Sequence, residues 1–310
     1  MDGLLGSRVP RVDGMTQQST DQPAGQGTFA GMPQRLYAAS PSRLLAYLDC
    51  PRRYRLQYLD RPKPKAAPQR AHTSLGIAVH NALRDWWDVP VEQWSVDRAH
   101  ALVAASWVDV GFRDAAMSRR WLRTAQQEVT DYLRGIAPGN RPVGIERTVS
   151  VRTGTVALTG RIDRLDDRPT SDGGRALVVV DYKTSRRPST VDELRTSLPM
   201  AMYAVAVAGM FKRPCVDVEL HHVPTGTVAR HRHTAESLDR KVGEVESIAV
   251  DLRRADADYR ERGVESDQFP PQVSALCGWC DFRAHCPEGS AHVPERAPWA
   301  ALEPDDVGGT

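Results

Sequence analysis

The sequence predicts an α/β fold, and three observations predict it. Val178-Val179-Val180-Asp181-Tyr182-Lys183-Thr184 is an apolar, β-branched run that ends abruptly in charge, which is the composition of a buried strand. Gly160-Arg161-Ile162-Asp163-Arg164 reads as a second strand, and the stretch from Asp166 to Gly174 between them is rich in turn formers. Helical patterns lie before and after these strands. The midpoint between Asp163 and Asp181 is position 172, inside the turn-forming stretch, so a hairpin sets the two carboxylates opposite each other. Strand side chains alternate, so Asp181 and Lys183 share one face while Tyr182 takes the other.

Residues 1 to about 37 are rich in Gly, Gln, Ser, Thr and Pro without an apolar period, and read as a disordered leader. Ser40-Pro41-Ser42 opens a helix with Ser40 as cap and Pro41 at the first helical position. Cys50-Pro51 interrupts it, and a second helical piece carries Tyr54, Leu56, Tyr58 and Leu59. Residues 61–70 hold too many prolines for a helix and read as a basic loop. Helices from Ser74 through Trp87, over 94–109 and over 115–135 supply an N-terminal helical layer. Strands are expected at 143–151, 155–165 and 175–183, then a helix at 191–209 and strands at 215–223 and 226–233. A long helix at 234–262 precedes a cysteine-rich tail, and the chain beyond about 293 reads as disordered. No internal repeat is visible.

With 310 residues and 41% hydrophobic content, the chain can bury one sizeable core with appendages. A net charge of +2 does not by itself call for a polyanionic partner, so any nucleic-acid footprint must come from local clustering. No apolar run approaches the ~20 residues of a bilayer span, and the N-terminus lacks a secretory pattern, so a cytoplasmic location is expected. The chain also lacks a Walker-type phosphate loop, which leaves any helicase to a separate partner.

Asp163 and Asp181 have the chemistry to hold Mg²⁺ or Mn²⁺, which prefer oxygen ligands and need few carboxylates beside a phosphate. Lys183 is then placed to orient a nucleophile or offset developing negative charge. Glu146, in Gly144-Ile145-Glu146 on the preceding strand, and His80, in Gly76-Ile77-Ala78-Val79-His80, are further candidates for the same cluster. Taken singly, each has a plain alternative: a surface ion pair, a strand-edge carboxylate or a helix-surface histidine.

Cys277-Gly278-Trp279-Cys280 and, after five intervening residues, Cys286-Pro287 form a thiol cluster that Cys50-Pro51 can complete. Four thiolates suit either zinc or an iron–sulfur cluster, and spacing does not separate them. A 4Fe-4S cluster is the favoured expectation. Either would staple the start of the domain to its end. Cys215 reads as a buried strand residue. Between Arg43 and Arg70, eight basic residues outnumber two acidic ones and interleave with Tyr47, Tyr54 and Tyr58. That mixture suits single-stranded DNA, with a solvated helix over core tyrosines as the alternative. His221-His222 and His231-Arg232-His233 read as sheet-face residues.

Together, Ser40-Pro41-Ser42-Arg43, Leu48-Asp49-Cys50-Pro51-Arg52-Arg53, Gly76 to His80, Gly160 to Asp163, Asp181 to Thr184 and the C-terminal cysteines resemble the RecB-like branch of the PD-(D/E)XK nucleases. This set occurs in the iron–sulfur nuclease domains of AddB-type proteins and in CRISPR-adaptation nucleases. The resemblance covers 38–290, leaving a leader at 1–37 and a tail at 291–310. It implies a restriction-endonuclease-like mixed β-sheet flanked by helices and a Mg²⁺- or Mn²⁺-dependent nuclease acting on DNA. In position, His80, Asp163 and Asp181 match the family's metal ligands and Lys183 its catalytic lysine. Cys50, Cys277, Cys280 and Cys286 match the 4Fe-4S thiols. Arg43, Arg52, Arg53 and Tyr203 are the expected DNA contacts. The chain departs from the family's Gln-x-x-x-Tyr motif, because Pro199 stands four residues before Tyr203. Proline supplies no amide side chain and no backbone donor, so a helix is expected to begin near there. The departure motivates a competing reading, a binding or scaffolding module that has kept the fold without the activity.

Overall fold

A computed structural model describes residues 35–137, 141–171 and 173–303. The first elements are β1 (Tyr37–Ala39), α1 (Pro41–Asp49), α2 (Pro51–Tyr58), α3 (Ala71–Trp86), α4 (Val96–Ala105) and α5 (Ala115–Arg134). The strands β2 (Gly144–Arg152), β3 (Val156–Pro169) and β4 (Arg175–Lys183) follow. Then come α6 (Val191–Thr196), α7 (Leu198–Phe211), β5 (Asp217–His222), β6 (Thr227–Arg232), α8 (Ala235–Arg262) and α9 (Pro287–His292). Ser40 caps α1 by accepting the Arg43 amide at 3.2 Å, and Cys50 takes the same position before α2, its sulfur accepting the Arg53 amide at 3.5 Å. Pro41 and Pro51 each open a helix where the missing donor costs nothing.

The sheet is mixed and centred on β3. One edge of β3 pairs antiparallel with β2. Its other edge takes parallel β1 over 156–158 and antiparallel β4 over 164–169. Parallel β5 and then antiparallel β6 extend the sheet beyond β4. Alternation along β4 divides the interior. Val178, Val180 and Tyr182 join the core under α3, α4 and α5, while Leu177 and Val179 join the core under α7. A third core gathers Leu44, Tyr54, Leu252 and Phe269 around α1, α2 and α8. Each such buried aliphatic side chain contributes about 1.5–3 kcal/mol relative to exposure.

The element order matches the expectation closely, with four differences. The expected helix over 191–209 is two helices, because Ser197 caps α7 and Pro199 lies in its first turn, where proline starts a helix instead of continuing one. The expected helix over 94–109 runs only from Val96 to Ala105. Tyr37, assigned to the leader, belongs to β1; residues 1–34 lie outside the described residues. The chain past 293 is structured up to residue 303: Leu302 is buried in the core under α3, and the Ala71 amide donates to Pro298 O at 3.1 Å. Residues 304–310 lie outside the described residues, as does position 172 of the hairpin turn. Among the described residues no helix is long and apolar enough to cross a membrane.

Candidate active site

Cross-strand register builds the site. The ladder that opposes Arg164 to Val180 places Asp163 opposite Asp181 one step further on. On the other edge of β3, the ladder opposing Ile145 to Arg164 and Arg147 to Ile162 places Glu146 opposite Asp163. Three carboxylates therefore stand in a row across three adjacent strands. Glu146 has φ +46°, a left-handed backbone rare for a residue with a Cβ, and such conformations cluster at functional sites.

Helix α3 delivers His80 to this row. Gly76, one turn earlier, lets the helix approach the end of β4, since a Cβ there would lie 3.3 Å from Thr184 Oγ1. His80 Nδ1 stands 3.4 Å from Asp163 Oδ2, and the same oxygen accepts the Tyr182 amide at 2.8 Å. Ligand atoms of His80, Glu146 and Asp163 lie within 4.8 Å of one another, a spacing suited to one cation. Asp181, the third ligand expected from sequence, is outside that trio. Its Oδ2 is buried, with no hydrogen-bond donor aligned on it, and its close contact is Lys183 Nζ at 2.6 Å. Glu146 Oε2 meets the exposed Arg161 at 2.7 Å.

The crowding of negative charge shifts these groups. Burial opposes protonation of His80, but Asp163, Asp181 and Glu146 outweigh it and raise its pKa. Burial raises the Asp181 carboxyl, and Asp163 adds to that against the pull of Lys183. Glu146 is also raised, chiefly by burial. A site that strains to keep its carboxylates ionised favours a bound cation.

Tyr203, on α7, lies near the carboxylates. It packs on Gly160, where a Cβ would come within 2.5 Å of its ring. Burial, reinforced by Asp181 and Asp163, pushes its hydroxyl up to about 12, so it remains a proton donor. Asp181 and Lys183 line a cleft of about 980 Å³ that continues past Arg187 and Pro199 to Trp279 and Arg296. The register of the hairpin was readable in the sequence, whereas the last two residues were not, because the tail that positions them has no periodic signal.

The four expected thiols share a pocket of about 170 Å³. Cys50 Sγ accepts the Gln272 amide at 3.4 Å, and Cys277 Sγ accepts the Ser274 amide at 3.5 Å. Gly289 leaves room beside the sulfurs, since a Cβ there would lie 3.3 Å from Cys277 Sγ and 3.5 Å from Cys286 Sγ. Four thiols, amide donors aimed at sulfur and an open cradle fit a thiolate-held group. Cys215 is buried apart from them, as expected.

The structure gives the expected DNA contacts on α1 and α2 partners within the protein. Tyr54 is fully buried, and its hydroxyl donates to Asp256 at 2.8 Å. Arg43 Nη2 donates to Tyr54 at 2.6 Å and Asp256 at 3.1 Å, so it pairs with a buried carboxylate of α8. Arg52 donates to Phe269 O at 3.1 Å, Arg53 pairs with Asp49 at 3.6 Å, and both line the thiol pocket. Their helical spacing carried them to the cysteine side of the molecule. His221 and His222 are buried in the sheet, as read from sequence.

Comparison with known proteins adds to this geometry. No curated protein matches the chain. Among solved structures, an exonuclease candidate from Eubacterium rectale is similar over 79% of this chain and 87% of its own, at 12% identity and a TM-score of 0.45. The protein SSO0001 is similar over 84% of this chain and 90% of its own, at 12% identity and a TM-score of 0.35. The family model of the PD-(D/E)XK nuclease superfamily matches residues 38–287, a span that contains every strand from β2 to β6, the carboxylate row and all four clustered thiols. The chain belongs to the PD-(D/E)XK nuclease superfamily.

Proposed function

We propose that this protein is a Mg²⁺- or Mn²⁺-dependent DNA nuclease of the RecB-like branch, an exonuclease acting on single strands or DNA ends in repair or recombination. The observation that carries the reading is the convergence of Glu146, Asp163 and Asp181 on adjacent strands with His80 and Lys183 beside them. His80, Glu146 and Asp163 would hold the cation, with Asp181 flanking it. When bound, the cation polarises the scissile phosphate and lowers the pKa of water. Asp181 holds the Lys183 ammonium at the cleft, where it offsets charge developing on phosphate. Tyr203, protonated at neutral pH, can donate to a phosphate oxygen. Pro199 sits in the first turn of α7, where proline is tolerated, and Tyr203 lies one turn further along the same helix without the amide of the usual motif.

The thiol pocket is the proposed 4Fe-4S site. Tetrahedral zinc, with bonds of about 2.3 Å, draws its sulfurs to about 3.8 Å from one another. The four-cysteine set suits either group. Iron analysis and visible absorbance of anaerobically purified protein separate the two metals.

Cleavage of end-labelled single-stranded and duplex DNA with Mn²⁺, compared between wild type, Asp181→Ala and Lys183→Ala, tests the activity. Turnover by the wild type with a loss of about 10²- to 10³-fold in each variant is expected. DNA binding without metal-dependent turnover would instead support the scaffolding module.

A further inference from the structure

The segment after α9 is part of the cleft. The Arg296 amide donates to Gly278 O at 3.0 Å, Arg70 Nη1 donates to Arg296 O at 3.2 Å, and the Ala71 amide donates to Pro298 O. These bonds lace the cysteine loop, the start of α3 and the tail together. Gly278 is required there, since a Cβ would come within 2.8 Å of Pro294 O. The outcome is a fixed position for the next residue, Trp279.

Trp279 has the surroundings of a recognition group. The buried Arg70 guanidinium lies 5.3 Å from its ring centroid, and the His72 ring meets it edge-on at 5.9 Å. Its indole is only partly buried, and Nε1 has no protein acceptor among the described residues. Trp279, His72 and Arg296 line the same cleft as Asp181 and Lys183. His72 Nδ1 is buried without a hydrogen-bond partner. Burial, with help from Arg70, lowers the pKa of that imidazole, so it brings a neutral polar edge to the cleft. Arg187 and Arg296 are exposed along it.

A cleft with carboxylates and a lysine at one end, exposed arginines along it and a rigidly backed indole at the other matches a nucleic-acid strand with a free base. Phosphates meet the arginines, and a base face meets the indole. Duplex bases are stacked on each other and present no such face. We propose that Trp279 is a stacking platform for an unpaired base of the DNA strand whose phosphate reaches Asp181 and Lys183. The proposal rests on the nuclease reading and adds the group that selects single-stranded over duplex DNA. The cysteine loop then supplies a substrate contact as well as a staple.

Binding of labelled oligo(dT) and of a blunt duplex, read by fluorescence anisotropy with no Mg²⁺ or Mn²⁺ added so that the strand stays intact, tests it. Trp279→Ala is expected to weaken oligo(dT) binding by roughly 5- to 100-fold while duplex binding stays within about twofold, and Trp279→Phe is expected to retain most of the affinity. Oligo(dT) should also quench intrinsic fluorescence in the parent and lose that quenching in Trp279→Phe, a readout that survives if Trp279→Ala fails to fold. Unchanged quenching in Trp279→Phe, or equal losses for single strand and duplex in a folded Trp279→Ala, overturns the proposal. Cleavage by the wild type is scored separately. Cleavage without the Trp279 effect defeats the platform alone, whereas the Trp279 effect without cleavage defeats the nuclease reading and leaves the platform standing.

Discussion

His80 Nδ1 and the Tyr182 amide converge on one oxygen of Asp163, at 3.4 Å and 2.8 Å. The Tyr182 N–H is thus spent on a side chain, and it fixes the carboxylate that helix and sheet share. Because His80 lies on the surface of α3 toward the carboxylates, its removal should spare the fold. His80→Ala is expected to lower Mn²⁺-dependent cleavage roughly 10- to 100-fold and to raise the Mn²⁺ concentration needed for half-maximal rate. A metal titration with an unchanged midpoint would remove His80 from the site.

Gly160 and Tyr203 are expected to be coupled. A Cβ at position 160 would sit 2.5 Å from the Tyr203 ring, so Gly160→Ala must push the ring aside at about 1–3 kcal/mol. Urea unfolding of the single variants and of Gly160→Ala/Tyr203→Ala checks this. The double variant should be less destabilised than the sum of the singles, and additivity would show that the contact does not matter.

Glu219 makes acid stability measurable. It is buried against Arg168 at 2.7 Å, Arg230 at 3.0 Å and His221 at 2.7 Å. Burial alone would raise its carboxyl, but hydrogen bonds from His221 and Arg168 prevail and hold it down to about 2, from an ordinary 4.5. The folded state therefore binds this proton less readily than the unfolded chain. Its contribution is complete above pH 4.5 and is lost as pH falls toward 2. Melting curves of the wild type should drop through that window, with Glu219→Gln showing a shallower slope there. Parallel curves would contradict the assignment.

The thiol pocket joins α2 to the tail, so its loss should loosen both ends. Cys50→Ser and Cys286→Ser are expected to lose bound iron and to melt at least roughly 5 °C lower. Variants that keep full iron content would exclude those thiols as ligands. Cys215→Ser, outside the pocket, should keep the iron and serves as the internal control.

The carboxylate pair was legible because a hairpin obeys arithmetic: positions equidistant from the turn oppose each other, and Asp163 and Asp181 stand one step beyond the paired Arg164 and Val180. Glu146 was legible as a candidate but not as part of the close trio, since its left-handed backbone depends on tertiary context. Arg43 and Tyr54 had the composition of a DNA-binding face. Their true partner, Asp256, lies on α8 more than two hundred residues away, beyond any local pattern. Residues 294–303 were read as disordered for the same reason. Their hydrogen bonds run to Gly278, Arg70 and Ala71, and none of these shows in the tail's own composition.

The tail's place in the cleft also gives the molecule an order of assembly. The carboxylates come from residues 146–181, whereas one wall of the cleft comes from residues 279–302. At about 5–20 residues per second, a ribosome delivers that wall on the order of ten seconds after the carboxylates. A nascent chain therefore holds its carboxylate row before the far wall of the cleft exists. The last thiols and the indole arrive together, and the tail residues that finish the cleft follow within about twenty residues.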